Sequence, residues 1–380
     1  MNDARIDLHG TYRARTPEQT WALISPLLLD YGVTRVADVT DFDYIGIPVV
    51  MATRPKSETL VVSQGKGLTP MLARLSAVME CIELEHAEHP DLAGTAASAN
   101  DLDLTYDLSD LQLRMDAEIV RQLRLDWYHA RTLISDTPTM VPRGLVDLSF
   151  GTGYDWRPAV FRTSSAGLAS GNSVDEALVH AMYELIERDV VSSLAGIGED
   201  HRRVVDVSTV GSDHCQALFT KLRDADISFE VAMVPNRFRI PTAVAFVWSP
   251  DFPLTCAGSG SHTDPAVALS RAVTEAVQSR LTEIVGTRDD IPSDCAPDIT
   301  APPPVPALAS SGVSWADALD GEVLNTDSMA AERRGLAARI AEQTGIEPLW
   351  VDLSTRSDVF SVVRVFAPGL VYSARGHVPR

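Results

Sequence analysis

Four ionisable residues, Glu176, His180, Glu184 and Glu187, fall in one short stretch, NSVDEALVHAMYELIERD, residues 172–189. A helix turning about 100° per residue places them within roughly 80° of arc, and Ala177, Leu178, Ala181, Met182 and Leu185 form an apolar face beside them. Carboxylates at helical spacing repel by a few tenths of a kcal/mol per pair in water, and by more where solvent is scarce. Such a stripe calls for a cation. Two more helical patterns carry polar faces: Glu80 and Glu83 with Ser76 one turn earlier, and Arg271, Glu275 and Gln278. A small-residue loop precedes each pattern, SQGKG, SSAGLASGN and GSGSHTD in turn. Glycine ahead of a helix lets backbone N–H groups approach an anion. The carboxylates, with Arg188, Arg271, Arg280 and Lys66, suit a nucleotide carrying several hard divalent ions, and magnesium takes oxygen ligands while sharing phosphate and water.

Each feature also has an ordinary structural explanation. Ser173 and Glu176 fit a capping box. Arg271 with Glu275, and Glu184 with Arg188, have i, i+4 spacing and could be simple ion pairs. Glu80 and Glu83 on a solvated face need no ligand, and His180 reads as a packing or supporting residue rather than a metal ligand. The recurrence of the same property on three glycine-led helices favours a shared site. No standard phosphate loop supplies it: SQGKGLTP lacks the Walker A spacing, and no G-x-G-x-x-G unit, H-E-x-x-H, G-x-S-x-G or kinase signature occurs.

The elements that must position these residues follow from periodicity and punctuation. Residues 34–55 and 57–67 read as short strands ending in a glycine turn, and 69–88 as a helix. MVPRGLVDLSF and PAVFRTSSAG read as strands around a glycine-rich turn, FEVAMVPNRF and TAVAFVWSP as paired strands, and LTCAGSGSHTD as a strand ending in a loop. Residues 100–125 read as helix and connecting loop. Asp264 caps a helix over 264–285 with Pro265 at its first position. Residues 291–312 are proline-rich and aperiodic, a surface connector; a helix over 328–345 and the strands EPLWVDLS and FSVVRVFAP follow. Strands and helices intermix, so the fold class is α/β or α+β, without a solenoid repeat.

The chain has 380 residues, 45% of them hydrophobic and 22% charged, enough for a large core and more than one lobe. A formal charge of −20 argues against non-specific binding to nucleic acid or an anionic membrane. No apolar run reaches transmembrane length and the N-terminus has no apolar signal core. The four cysteines form no CxxC pair, and Cys81 lies in an apolar helical pattern, as a buried free thiol would. A cytoplasmic protein is the expectation.

The blocks SQGKGLTPMLARLSAVMECIE, SSAGLASGNSVDEALVHAMYELIERD and LSRAVTEAVQSRLTEIVGTRDD resemble, in order, the three hallmark segments of the YcaO family, over about Gly10 to Leu370. GTYRARTPEQTW and TRVADVTDFDYIGIPVVMATRP look most like the branch associated with TfuA proteins and peptide thioamidation. The resemblance implies an ATP- and Mg²⁺-dependent enzyme acting on a peptide backbone amide. A nucleophile adds to the amide carbon, the resulting oxyanion takes the γ-phosphoryl group of ATP, and phosphate leaves. It implies Glu80, Glu83, Glu176, Glu184 and Glu187 as Mg²⁺ ligands, and Asn172, Arg188 and Ser76 as nucleotide or phosphate contacts. Arg13, Thr20, Lys66, Gln278 and Arg280 stand at further nucleotide positions, and Arg188, Arg271 and Glu275 at catalytic ones.

The same resemblance divides the chain into an N-terminal segment, 1–55, a core with the binding helices, 56–290, the connector 291–312, and a completing α/β segment, 313–380. It also implies a homodimer acting on a peptide or protein with a TfuA-like partner. Ala166 stands where relatives often have asparagine. The P-x-P-x-P tail and the fused peptide-clamping domain of azoline-forming members are not seen, which favours thioamide formation with a sulfide source. Azoline or amidine formation, an ATP-binding accessory factor without chemistry of its own, and a structural protein with solvated acidic helices are the alternatives.

Overall fold

The computed structural model describes residues 5–148, 160–197, 201–287, 312–319, 326–355 and 358–372. A hairpin, β1 (Ile6–Asp7) and β2 (Tyr12–Arg13), leads to α1 (Pro17–Ile24). Three antiparallel strands follow, β3 (Arg35–Asp38), β4 (Val49–Thr53) and β5 (Val62–Lys66), and the last runs into α2 (Pro70–Glu88). Next come β6 (Thr95–Ala97), α3 (Ala117–Gln122), β7 (Leu125–Thr132), β8 (Pro138–Pro142), the single turn α4 (Arg143–Val146) and β9 (Leu168–Gly171), which runs into α5 (Val174–Ile197). The segment β10 (Arg203–Val204), α6 (Asp213–Asp224), β11 (Ser228–Met233), β12 (Thr242–Ser249) and β13 (Phe252–Ser261) runs into α7 (Pro265–Val285). After α8 (Trp315–Ala318) and α9 (Met329–Thr344), strands β14 (Leu349–Asp352) and β15 (Ser361–Phe366) return to the sheet of β6–β9. That sheet has the order β6-β7-β14-β15-β9 with β8 on β7, and β10 to β13 form a four-stranded meander. The fold is therefore mixed α/β with several small sheets.

The long helices start where short polar side chains can cap them. Thr69 Oγ1 accepts from Leu72 N at 3.3 Å, Ser173 Oγ from Glu176 N at 3.3 Å, and Asp264 Oδ1 from Ala266 N at 2.9 Å. Pro70 and Pro265 occupy first helical positions, where a missing N–H costs nothing. Ser328 and Gly345 bound α9, Gly345 in the left-handed region at φ 76°.

One supersecondary unit, a strand running into a helix that folds back on it, occurs three times: β5–α2, β9–α5 and β13–α7. The units close a ring. Besides its own strand, α2 packs on β9, α5 on β13, and α7 on β5. Glycines make the contacts close. A Cβ on Gly65 would lie 2.0 Å from Ala77 N, and one on Gly258 2.3 Å from Ala272 O and from Ala276 N. These glycines let helix backbone rest on strand, a different use from the anion approach that their place in the sequence suggests.

Several expectations need correction. MVPRGLVDLSF holds a strand only to Pro142, then the turn α4. In PAVFRTSSAG the described part makes one isolated bridge, Phe161 to Leu113, and the strand lies further on, at β9. The connector lies outside the described residues except for Gly312. Cys81 is buried and free, as its apolar surroundings implied.

Candidate active site

The ring places an acidic side chain of each long helix against the strand of the next unit. On α2, Glu83 Oε1 accepts from Ser170 N at 2.8 Å and Ser170 Oγ at 2.6 Å, on β9. On α5, Glu187 accepts from Ser259 Oγ at 2.6 Å and Ser261 N at 3.1 Å, on β13. On α7, Glu275 takes the ammonium of Lys66 on β5. The helices share one register. Counted from the caps Thr69, Ser173 and Asp264, the eleventh positions are Glu80, Glu184 and Glu275, and the fourteenth are Glu83, Glu187 and Gln278. The seventh positions are Ser76, His180 and Arg271. The serines on β9 and β13 went unnoticed in the sequence; this shared register is the signal that points to them.

Burial and like charge strain these carboxyls. Burial pushes Glu83 up to about 8, with Ser170 opposing and the charges of Glu80 and Glu184 adding to the rise. Glu187 is raised too, first by burial and then by Glu275, while Arg271, Ser259 and Lys66 pull it back. Glu184 accepts from Gly167 N at 3.1 Å and from Arg188 Nε at 2.8 Å, and the charge of Glu184 holds that guanidinium above the usual arginine range. Gln64 N donates to Glu80 at 3.3 Å. Arg271 is half-buried with its Nε unpartnered among the described residues; the expected pair with Glu275 is replaced by that of Lys66.

A second group joins the N-terminal segment to the start of α5. Glu176 accepts from Ala14 N at 2.8 Å and Asn172 Nδ2 at 3.1 Å, and Arg13 Nε lies 3.6 Å away. Only half of the capping box therefore forms, because the Glu176 carboxylate is turned to the N-terminal segment. Thr20 Oγ1 donates to Asn172 Oδ1 at 2.8 Å. Arg13 Nη1 stands 2.6 Å from His180 Nε2, and His180 Nδ1 lies 3.4 Å from the Ser170 carbonyl. A carbonyl only accepts, so the proton sits on Nδ1 and Nε2 accepts from the guanidinium. Burial and the neighbouring Arg13 and Arg271 hold His180 well below its ordinary pKa, so it stays neutral. Burial lowers Arg13 to about 10, with Glu176 opposing.

Ser76 is exposed on α2, and Gln278 is half-buried on α7. Arg280 is buried against Asp43 (Nε to Oδ2, 2.8 Å) and Ser249 Oγ (2.9 Å), which uses its charge in a structural ion pair away from the acidic ring. Glu85, Glu88 and His89 bring their ligand atoms within 4.8 Å of one another, the tightest such group among the described residues, but Arg54 already pairs with both glutamates. The ring glutamates form no group that tight among the described residues. Hard oxygen donors, with Glu83 and Glu187 raised, fit Mg²⁺, and the unpartnered Arg271 Nε with Lys66 and Arg188 fits phosphate.

The family model described as YcaO cyclodehydratase, ATP- and Mg²⁺-binding, matches residues 64–371. An uncharacterized protein of Mycobacterium tuberculosis is 38% identical over 370 residues, 96% of this chain and 84% of its own length. An uncharacterized protein in the tfuA 3′ region of Rhizobium leguminosarum bv. trifolii is 34% identical over 296 residues, 73% of this chain and 69% of its own length. In fold, the chain is similar to YcaO from Methanopyrus kandleri bound with AMPPCP and Mg²⁺, with TM-score 0.74, 22% identity, and 96% of this chain and 94% of that one covered. No helix among the described residues is long and apolar enough to cross a membrane. The chain belongs to the YcaO family, whose members bind ATP and Mg²⁺.

Proposed function

We propose that this protein activates a peptide backbone amide by O-phosphorylation and installs a thioamide, with a sulfide source and a TfuA-like partner. The observation that carries the proposal is the ring of helix carboxylates, each held by the neighbouring strand and flanked by Lys66, Arg188 and Arg271. The tfuA-region relative supports the thioamide branch. When bound, Mg·ATP supplies the phosphoryl group that turns a poor leaving group, an amide oxygen, into a good one.

Glu80, Glu83, Glu184 and Glu187 would hold the metal, with Glu176, beside Arg13, as a further ligand. Arg188, Arg271 and Lys66 take the phosphate charge, while Asn172, Thr20, Ser76 and Gln278 orient the nucleotide. Placing cations where charge develops is the larger part of phosphoryl-transfer catalysis. Glu275, with one oxygen held by Lys66, offers the other to the proton released by the nucleophile. Arg280 serves the fold. The working form is a homodimer in the cytoplasm.

Incubation with ATP, Mg²⁺, sulfide, partner and peptide should replace one backbone oxygen by sulfur, read by mass spectrometry. Loss of water instead would assign azoline or amidine formation, the reading favoured by the family's description as cyclodehydratases. ATP bound without any peptide-dependent phosphate release would leave only an accessory role.

A further inference from the structure

Arg364 interrupts an otherwise apolar strand, SVVRVF, and its charge has no use in the site described above. It is 2% exposed, and among the described residues no carboxylate lies within ion-pair distance of it. Its Nη2 donates to two carbonyls, those of Ser164 and of Leu145, the latter at 3.2 Å, while its Nε and Nη1 have no partner there. The Phe366 ring centroid lies 5.5 Å from the guanidinium carbon, but a buried cation with no carboxylate partner is costly. Burial accordingly pulls Arg364 down to about 10. The guanidinium lines a pocket of about 390 Å³, solvent mouth included, together with Gln112, Arg162, Ser164, Tyr372 and Asp110. Gln112 Nε2 is a further buried donor without a partner. Two arginines against one aspartate leave the pocket cationic, and its unpartnered side-chain atoms are donors.

We infer that this pocket binds a small oxyanion, a phosphate or a carboxylate, on Arg364 and Gln112. The pocket communicates with the acidic ring through Gly167, whose carbonyl accepts from Val365 N at 2.8 Å, next to Arg364, and whose N–H donates to Glu184 at 3.1 Å. The charges of Glu184 and Arg188 reach Arg364 as well. Two sources fit: orthophosphate, which is a reaction product only if the proposed ATP use holds, or a carboxylate of the peptide substrate.

Calorimetric titrations of orthophosphate and of acetate into the full chain, with and without saturating AMPPCP and Mg²⁺, distinguish the sources. Saturable binding of at least one, persisting beside the nucleotide analogue, is expected. It should weaken at least tenfold in Arg364→Lys and several-fold in Gln112→Leu, which leaves the buried arginine in place. Orthophosphate alone assigns the product, acetate alone the substrate carboxylate, and both the shared chemistry. No saturable binding of either, full competition by AMPPCP, or binding untouched by both variants overturns the inference. AMPPCP binding without oxyanion binding sinks this pocket alone, whereas oxyanion binding without AMPPCP binding sinks the proposed function alone.

Discussion

Glu83→Gln should stabilise the metal-free protein while removing its affinity for Mg²⁺ and nucleotide. Glu83 is half-buried, stands near Glu80 and Glu184, and is raised to about 8 from an ordinary 4.5. A carboxyl raised by folding lends its stability below the unfolded value, and that stability is lost as pH rises towards the folded value. Between pH 4.5 and about 8 the unfolded chain has released this proton and the folded chain has kept it, so stability falls by about 1.4 kcal/mol per pH unit. Glutamine mimics the protonated form, and its carbonyl oxygen can still accept from Ser170. In EDTA the variant should match the wild type at about pH 4 and exceed it by at most about 4 kcal/mol at pH 7.5. With Mg²⁺ the sign reverses, because a ligand carboxyl must be ionised: wild-type affinity should rise about tenfold per unit between pH 6 and 8, and the variant should show no such rise. Denaturant titrations in EDTA and calorimetry with Mg²⁺ and AMPPCP make both measurements. A variant less stable than the wild type at pH 7.5, or a wild-type affinity flat with pH, refutes the reasoning.

Glu187→Gln should abolish substrate-stimulated phosphate release with an unchanged circular dichroism spectrum, since it removes a ligand charge and leaves α5 intact; activity at the wild-type level would exclude Glu187 from the site. Arg280→Ala should cost about 3–5 kcal/mol in denaturant titrations, because Asp43 is left buried and unpaired, while nucleotide affinity of the folded fraction stays within about twofold, on the order of 0.4 kcal/mol. Gly65→Ala should fail to fold or lose several kcal/mol by chemical denaturation, since the added methyl meets α2 backbone at 2.0 Å; a stable, fully active Gly65→Ala protein would contradict the close contact of β5 and α2.

The long helices were legible because cap and apolar stripe agree at each start, with proline added at two: Thr69-Pro70, Ser173 and Asp264-Pro265 all stand where the structure begins a helix. The ring was not legible, because contacts such as Glu83 with Ser170 join residues far apart in sequence and small serines carry no periodic signal. Strand β7, LDWYHART, was passed over beyond Leu125, since Asp126, His129 and Arg131 break the apolar run while its other side chains are buried. Helix α6 was passed over although Ser212 caps it and Cys215, Leu218, Phe219 and Leu222 face the core. Arg280 was grouped with the site by its charge and by the resemblance of its segment. Its partner Asp43 comes from a distant loop, and only the tertiary fold shows that pairing.

The central proposal is that carboxylates from α2 and α5 jointly hold the metal that carries the nucleotide. Calorimetry of AMPPCP binding, with and without Mg²⁺, to the wild type and to single Gln variants of Glu83, Glu184 and Glu187 tests it most directly. The account predicts Mg²⁺-dependent binding in the wild type and a loss of at least tenfold in variants from both helices. Binding that ignores Mg²⁺, or that only α2 or only α5 substitutions weaken, would contradict it.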